Sequence, residues 1–299
     1  MAVQAVHGLF QSVFSGNQGP GPPLNRSIQL RYGHSGRFLS VGRHLTREYG
    51  RPMSFDAELY CLTHKGLPGD VDFYRRQCRG AEQILELGMG DGRIAVPLVE
   101  DGARVWGVES HPGMLARAHQ RRIELGDEAR LRFNIYDGSM SAFSIGEKFD
   151  RIIVPFTGIF CLSPAERKAC YAQVREHLAP YGQFVFDVYP TDLVAQIPAF
   201  DDEEFWLMSI ADGPRVIEVF QRDSYRPERG QIEVTYRNVV SDSNAKSYES
   251  EYTLVHHYVV TDAWEVELKE AGFDIIGVHG DFDGGSFSDE SDRLIIIAQ

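Results

Sequence analysis

The chain has 299 residues, 43% apolar and 24% charged, with a net charge of -13. That length and composition fit one large α/β domain with an insertion, in a soluble globular protein. The acidic balance argues against nucleic acid as a partner, because phosphate binding needs clustered Lys and Arg, and no apolar run approaches the roughly 20 residues that span a bilayer.

Four scattered cysteines, Cys61, Cys78, Cys161 and Cys170, form no C-x-x-C pair. They indicate neither a zinc site nor a disulfide framework and fit a reducing, cytoplasmic setting. No Asp or Glu precedes Glu48, whereas Arg26, Arg31, Arg37, Arg43 and Arg47 lie upstream of it, so the remainder carries -18. An acid-free stretch with Arg and Ser has the composition of an organelle transit peptide, which gives an organellar location as the alternative. The Gly-Pro run Gly16 to Pro23, and the lack of Arg or Lys in the first 20 residues, favour a plain flexible leader. Residues 1–50 are expected to be mobile or to fold over a ligand as a lid.

Met53 to Arg79 carries Phe55, Leu59, Tyr60, Leu62, Phe73 and Tyr74 at helical spacings, broken by Gly66-Leu67-Pro68-Gly69. Two helices follow from that pattern. Gln83 to Leu87 (QILEL) is an apolar strand that runs into Gly88, Gly90 and Gly92, and helical spacing resumes from Arg93 to about Glu100. Glycine tolerates positive φ and lets a ligand approach the backbone, while the N-H groups of the following helix start face the turn.

A βα rhythm then continues. Arg104 to Glu109 is the second strand, Pro112 to Leu125 a helix, Leu131 to Tyr136 the third strand and Phe149 to Phe156 the fourth. Ser163-Pro164-Ala165-Glu166 reads as an N-cap with Pro at the first helical position and a capping box, opening a helix to Leu178. Pro180-Tyr181-Gly182 closes it, and Gln183 to Val188 is the fifth strand. Alternation at this spacing implies a mostly parallel sheet with helices on both faces, and such sheets bind ligands beyond the carboxyl ends of their strands.

The period then changes to two. Arg215 to Arg222, Gln231 to Val240 and Tyr248 to Val260 predict an inserted antiparallel meander, whose exposed edges suit homodimerisation. Asp262 to Ala271 is helical, and Phe273 to His279 with Arg293 to Ala298 predicts a closing hairpin at the sheet edge. The domain plan is a leader (1–50), a core (51–190 and 261–299) and an inserted sheet (191–260) covering the active site.

Arg93 stands where the dinucleotide fingerprint G-x-G-x-x-G needs its third glycine. The chain has Glu86-x-Gly88-x-Gly90-x-Gly92 instead, with Glu109 at the end of the second strand, where a carboxylate can accept both ribose hydroxyls. Asp137, just after the third strand, adds a carboxylate suited to an exocyclic adenine amine.

Here the sequence resembles the class I S-adenosylmethionine-dependent methyltransferases. The matching stretches are LELGMGDGR (85–93), VWGVESHPGML (105–115), IYDGSM (135–140), FDRIIVPFTGIF (149–160), VREHLAPYGQFVFDVYP (174–190) and LKEAGFDIIGVHGDFDG (268–284). It is most similar to the bacterial-type small-molecule enzymes with an antiparallel sheet after the fifth strand, a group that includes amino-sugar and amino-acid N-methyltransferases. The resemblance implies a Rossmann-like seven-stranded sheet and transfer of a methyl group from S-adenosylmethionine, leaving S-adenosylhomocysteine, to N, O or S of a small metabolite. It implies that Glu86 and the backbone of Gly88, Met89 and Gly90 hold the methionine part and that Glu109 binds the ribose. Ser110 and Met114 would border the adenine, and Asp137 with the Gly138 amide would read its edge. Tyr60 and Tyr74 fall where related enzymes place aromatics over the cofactor. Tyr181-Gly182 replaces a common Gly-Gly pair, which costs little provided Tyr181 keeps a negative φ.

Displacement at a sulfonium rests on positioning and desolvation, with a general base needed only where the acceptor must lose a proton. His256, His257, Tyr189 and Asp187 are the candidates, and on a regular strand only one of His256 and His257 can face the site. Phe156 and Tyr189 are expected to touch the acceptor. The segment PFTGIF lacks the Asp/Asn-Pro-Pro-Tyr signature of nucleobase and protein amine methylation. No metal site is indicated, since the acids do not recur with His at ligand spacings. The rival readings are an NAD-dependent oxidoreductase and a non-catalytic nucleotide-binding or interaction module.

Overall fold

Runs of Ile, Leu, Val and Phe, buried on both faces, build the central sheet of the computed structural model, which describes residues 55–299. The expected leader, 1–50, lies outside the described residues. The sheet's strands are β1 (Gln83–Leu87), β2 (Arg104–Glu109), β3 (Phe133–Asp137), β4 (Phe149–Val154), β5 (Leu178–Val188), β11 (Ile275–His279) and β12 (Leu294–Ala298). Their order is β11-β12-β5-β4-β1-β2-β3. All are parallel except at β12, which runs antiparallel to both neighbours, as the closing hairpin predicts.

Strand alternation splits the core in two. Ile84, Val105, Ile153, Val185 and Ile295 point to one face. There they pack on α2 (Asp70–Gln77), α3 (Ala95–Glu100) and α4 (Pro112–Glu124). Leu85, Leu87, Ile152, Val154, Phe184 and Phe186 point to the other. That face carries α6 (Pro164–His177), α7 (Ala263–Glu270), Leu59 of α1 (Ala57–Thr63) and the second sheet. The capping box at Ser163 and Glu166 opens α6 as the sequence predicts.

Three expectations need correction. The third strand begins at Phe133, because residues before it form α5 (Asp127–Arg132). Asp127 and Glu128 in its first turn and Arg130 and Arg132 in its last suit the helix dipole, and Leu131 is left exposed. The β5 strand starts at Leu178, directly after α6, and Tyr181 within it has a φ of 63°. The Tyr-Gly pair therefore does place a side chain in the left-handed region.

The antiparallel sheet has five strands where three runs were expected. They are β6 (Phe200–Asp201), β7 (Phe205–Asp212), β8 (Arg215–Arg226), β9 (Gln231–Asp242) and β10 (Tyr248–His257). The order is β10-β9-β8-β6, with β7 also on β8. The β7 strand escaped detection because it is only half-buried along its length and its register slips between Trp206 and Met208. Its partner β8 alternates regularly, with Ile217, Val219, Gln221, Asp223 and Tyr225 turned inward.

Candidate active site

The glycine turn after β1 is laid against the end of β2. Gly88 and Met89 donate their amides to the Val108 carbonyl at 2.9 and 3.1 Å, and Gly90 donates to the Glu109 carboxylate at 3.0 Å. The turn is possible because Gly88, Gly90 and Gly92 all have positive φ, 66°, 60° and 84°. The Met89 side chain is buried against the bare Cα of Gly107, so at the rim this residue offers only backbone.

Glu86 is 2% exposed. Burial, the largest influence, pushes its carboxyl up to about 8, while nearby Arg93 and a hydrogen bond from the Ala95 amide pull it down. Among the described residues its Oε2 has no hydrogen-bond partner. An orphaned buried carboxylate oxygen beside an open glycine turn fits the ammonium of a methionine group.

Glu109 is held by three amides, Gly90, Ser110 (2.8 Å) and His111 (2.7 Å), which fix its carboxylate at the rim with spare lone pairs for hydroxyl donors. Asp137 closes β3 opposite Glu109 in register and is exposed. The Gly138 amide already donates to the Glu109 carbonyl at 2.9 Å, so it ties the two strand ends together, contrary to its expected place on the adenine edge. Ser110 is exposed at the rim, and Met114 is buried with its sulfur 3.7 Å from Cys61 Sγ. Burial pushes the Cys61 thiol up to about 11.

Two residues that sequence reasoning passed over lie here. Arg93 was read only as a missing glycine, yet its guanidinium sits 5.5 Å over the Phe156 ring and pairs with buried Asp70 at 2.7 Å. Space for it exists because Gly66 lacks a side chain; a Cβ there would meet Arg93 Nη1 at 2.2 Å. His64 stacks on Tyr60 at 4.1 Å and meets Tyr236 edge-on at 4.8 Å. Burial pulls its ring down to about 3, so it is neutral. The i, i+4 spacing of Tyr60 and His64 was the available signal.

Tyr74 departs from expectation. It is fully buried, and its hydroxyl donates to Asp187 Oδ1 at 2.6 Å beneath the strand ends. Asp187, a candidate base, is itself 0% exposed and fully engaged. It accepts the Phe156 amide (2.8 Å) and pairs with Arg293, which also donates to Thr157 Oγ1 at 3.0 Å. A buried carboxylate so committed anchors the backbone around it. What it holds is strained: Phe156 and Thr157 have φ of 56° and 62° in succession, each costing on the order of 1 kcal/mol. The strain turns Phe156 under Arg93 and toward His64.

Tyr189, after β5, shares a 2.9 Å hydrogen bond with His256 Nδ1. Burial lowers the His256 ring to about 4. His257 turns away, 3.5 Å from the Gln231 amide, so of the two histidines only His256 joins the site. Among the described residues no group of three His, Cys, Asp or Glu converges as a metal cage, and no helix is long and apolar enough to cross a membrane.

Residues 84–182 match the model of a methyltransferase domain. A protein of Geobacillus sp. (strain WCH70) bearing a provisional methyltransferase name is 24% identical over 235 residues, 76% of this chain and 87% of that protein. The CcbJ methyltransferase of Streptomyces caelestis superposes with a TM-score of 0.64 at 22% identity, covering 77% of this chain and 88% of its own. The S-adenosylmethionine-bound CalS10, an amino pentose methyltransferase from Micromonospora echinaspora, gives 0.60 at 20% identity, with 84% and 99% coverage. At these identities the structures show a shared fold, and the domain match adds the chemistry to it. Against the dinucleotide-oxidoreductase and non-catalytic readings stands this match: residues 84–182 form a methyltransferase domain.

Proposed function

We propose that the chain methylates N, O or S of a small metabolite, with nitrogen the favoured atom, in a site roofed by the second sheet. The observation that carries this reading is the set of carboxylates at three adjacent strand ends: buried Glu86 with its orphaned oxygen, amide-held Glu109 and exposed Asp137. When bound, S-adenosylmethionine supplies an electrophilic methyl carbon on its sulfonium. Glu86 holds the ammonium of the methionine part and Arg93 its carboxylate, Glu109 the ribose, and Asp137 with Ser110 and Met114 the adenine. Tyr60 and His64 form an aromatic wall between this rim and the second sheet.

The Tyr189–His256 pair positions the acceptor. A ring whose pKa is lowered to about 4 holds a proton poorly, so its service is to orient the Tyr189 hydroxyl toward the attacking atom. The amino pentose in the CalS10 name is in keeping with an amine-bearing acceptor. A reducing, cytoplasmic location fits four unpaired cysteines. Pairing of two copies through edge strand β10 and the outward Trp206, Val216 and Val255 belongs to the same proposal.

Transfer of labelled methyl groups from S-adenosylmethionine to a panel of amines, amino acids, phenols and thioethers tests the reading. Label on an amine is the expected result. Label on none of them despite tight cofactor binding would favour a non-catalytic module.

A further inference from the structure

The amino ends of the strands, opposite the glycine turn, carry a second concavity, a solvent-open groove of about 1030 Å³. Sites for small ligands reach about 1,000 Å³, so the groove has the size of one. Five arginines line it, Arg75, Arg76, Arg79, Arg104 and Arg132, in a chain whose net charge is -13. No lysine is among its lining residues. Arginine's planar fork matches the oxygens of a phosphate in a way that an ammonium does not.

Part of this charge is explained by the fold. Arg75, Arg76 and Arg132 fall in the last turns of α2 and α5, where a cation offsets the helix dipole. Arg75 also pairs with Asp101, Arg76 donates to the Phe282 carbonyl, and half-buried Arg132 has a long 3.5 Å contact with the Val99 carbonyl. Arg79 and Arg104 have no such role, for one lies in the turn after α2 and the other opens β2. Both are exposed, and among the described residues neither holds an ion pair or hydrogen bond; Arg79 acts on Asp101 only through space.

Strand register gathers these charges. Val105 of β2 pairs with Phe133 of β3, so Arg104 and Arg132 lie side by side just before that pair. Neighbouring strands are about 4.8 Å apart, a spacing at which two guanidinium groups reach one phosphate. The turns at Gly80 and Gly102 leave the lining bare, since a Cβ at either would meet no atom within 4 Å. Asp72 and Glu82 are exposed along the same lining, where they repel an extended acidic peptide and accept hydrogen bonds from hydroxyls.

We propose that this groove is a second ligand site, which binds a small hydroxylated phosphate ester through Arg79, Arg104 and Arg132. The length of the five-residue β1, about 16 Å, separates it from the glycine turn, so both sites can be filled together. The site is independent of the methyltransferase reading.

Calorimetric titration of the full chain with ribose 5-phosphate, inorganic phosphate and ribose tests it. The same titrations are made on the double variant Arg79→Gln, Arg104→Gln and on Arg229→Gln, which removes a charge between β8 and β9. Ribose 5-phosphate should bind saturably, at least about tenfold more tightly than inorganic phosphate, and ribose should not bind. The double variant should bind the ester at least about tenfold more weakly with its melting temperature unchanged, because neither side chain holds a contact within the fold. Arg229→Gln should bind like the unmodified chain, and S-adenosylmethionine should not displace the ester. No saturable binding of ribose 5-phosphate, equal affinity in the double variant, or equal loss in Arg229→Gln would overturn the proposal. Displacement by S-adenosylmethionine would do the same by placing the ester at the cofactor rim. Inorganic phosphate binding as tightly as the ester would leave an adventitious ion only and overturn it too.

Discussion

On the proposed reading, Glu86 changes its protonation when the cofactor site fills. With its carboxyl raised from 4.5 to about 8, it holds a proton at pH 7, and an arriving ammonium favours the charged form. Cofactor binding at pH 7 should therefore release close to one proton, measured by calorimetry in buffers of different ionisation enthalpy; release near zero would contradict the assignment. A carboxyl raised by folding stabilises the native chain fully below its ordinary value, and that stability is lost as pH rises through about 8. Glu86→Gln should flatten that alkaline fall in the cofactor-free chain and weaken cofactor binding. The neighbouring pair separates orientation from base catalysis. Tyr189→Phe and His256→Gln should each lower kcat about tenfold without moving the pH profile. If His256→Gln instead abolishes an acid limb of the profile, His256 is a proton acceptor. The roles of Tyr74 and Asp187 were not legible in the sequence, because their bond joins side chains 113 positions apart and both looked like rim residues by strand-end position alone.

At the scale of elements, the parallel strands and the glycine turn could be read directly, since buried strands give continuous apolar runs and positive φ demands glycine. The end of β3's preceding helix and the β7 strand could not. One was hidden by an exposed Leu131 that mimicked a strand start, the other by a strand half-buried on both sides. Tyr181 is the element-level exception with a measurable cost. Its φ of 63° is held while its side chain is 88% exposed, so nothing offsets the strain through burial. Tyr181→Gly should stabilise the chain by about 1 kcal/mol, seen as a higher melting temperature. Destabilisation would mean that the ring makes a contact of value. The next position tolerates no such change in reverse, for a Cβ at Gly182 would meet the Phe149 carbonyl at 2.8 Å. The strained Phe156–Thr157 step at the end of β4 is a different case. There the Asp187–Arg293 pair over-determines the backbone, and the strain aims a ring into the site.

The whole molecule couples two layers across one rim, and its response to acid should report on that closure. His64 and His256, lowered to about 3 and about 4, are buried neutral where the second sheet meets the core. A histidine depressed by folding gives stability that is present above its ordinary value of 6.5 and lost as pH falls toward the folded value. Glu86 acts in the opposite sense over part of the window, so two rings against one carboxyl leave a net loss of up to about 1.4 kcal/mol per pH unit below 6.5. Melting temperatures from pH 7 to pH 5 should fall accordingly, and less steeply in His256→Gln. In the proposed site, Glu86, Glu109 and Asp137 at the ends of β1, β2 and β3 hold one cofactor between them. The most direct test is a calorimetric titration of the chain and of Glu109→Ala with S-adenosylmethionine. The unmodified chain should bind, and the variant should bind at least about tenfold more weakly for loss of a charge-assisted hydrogen-bond pair. Equal affinity in the two proteins would contradict the site.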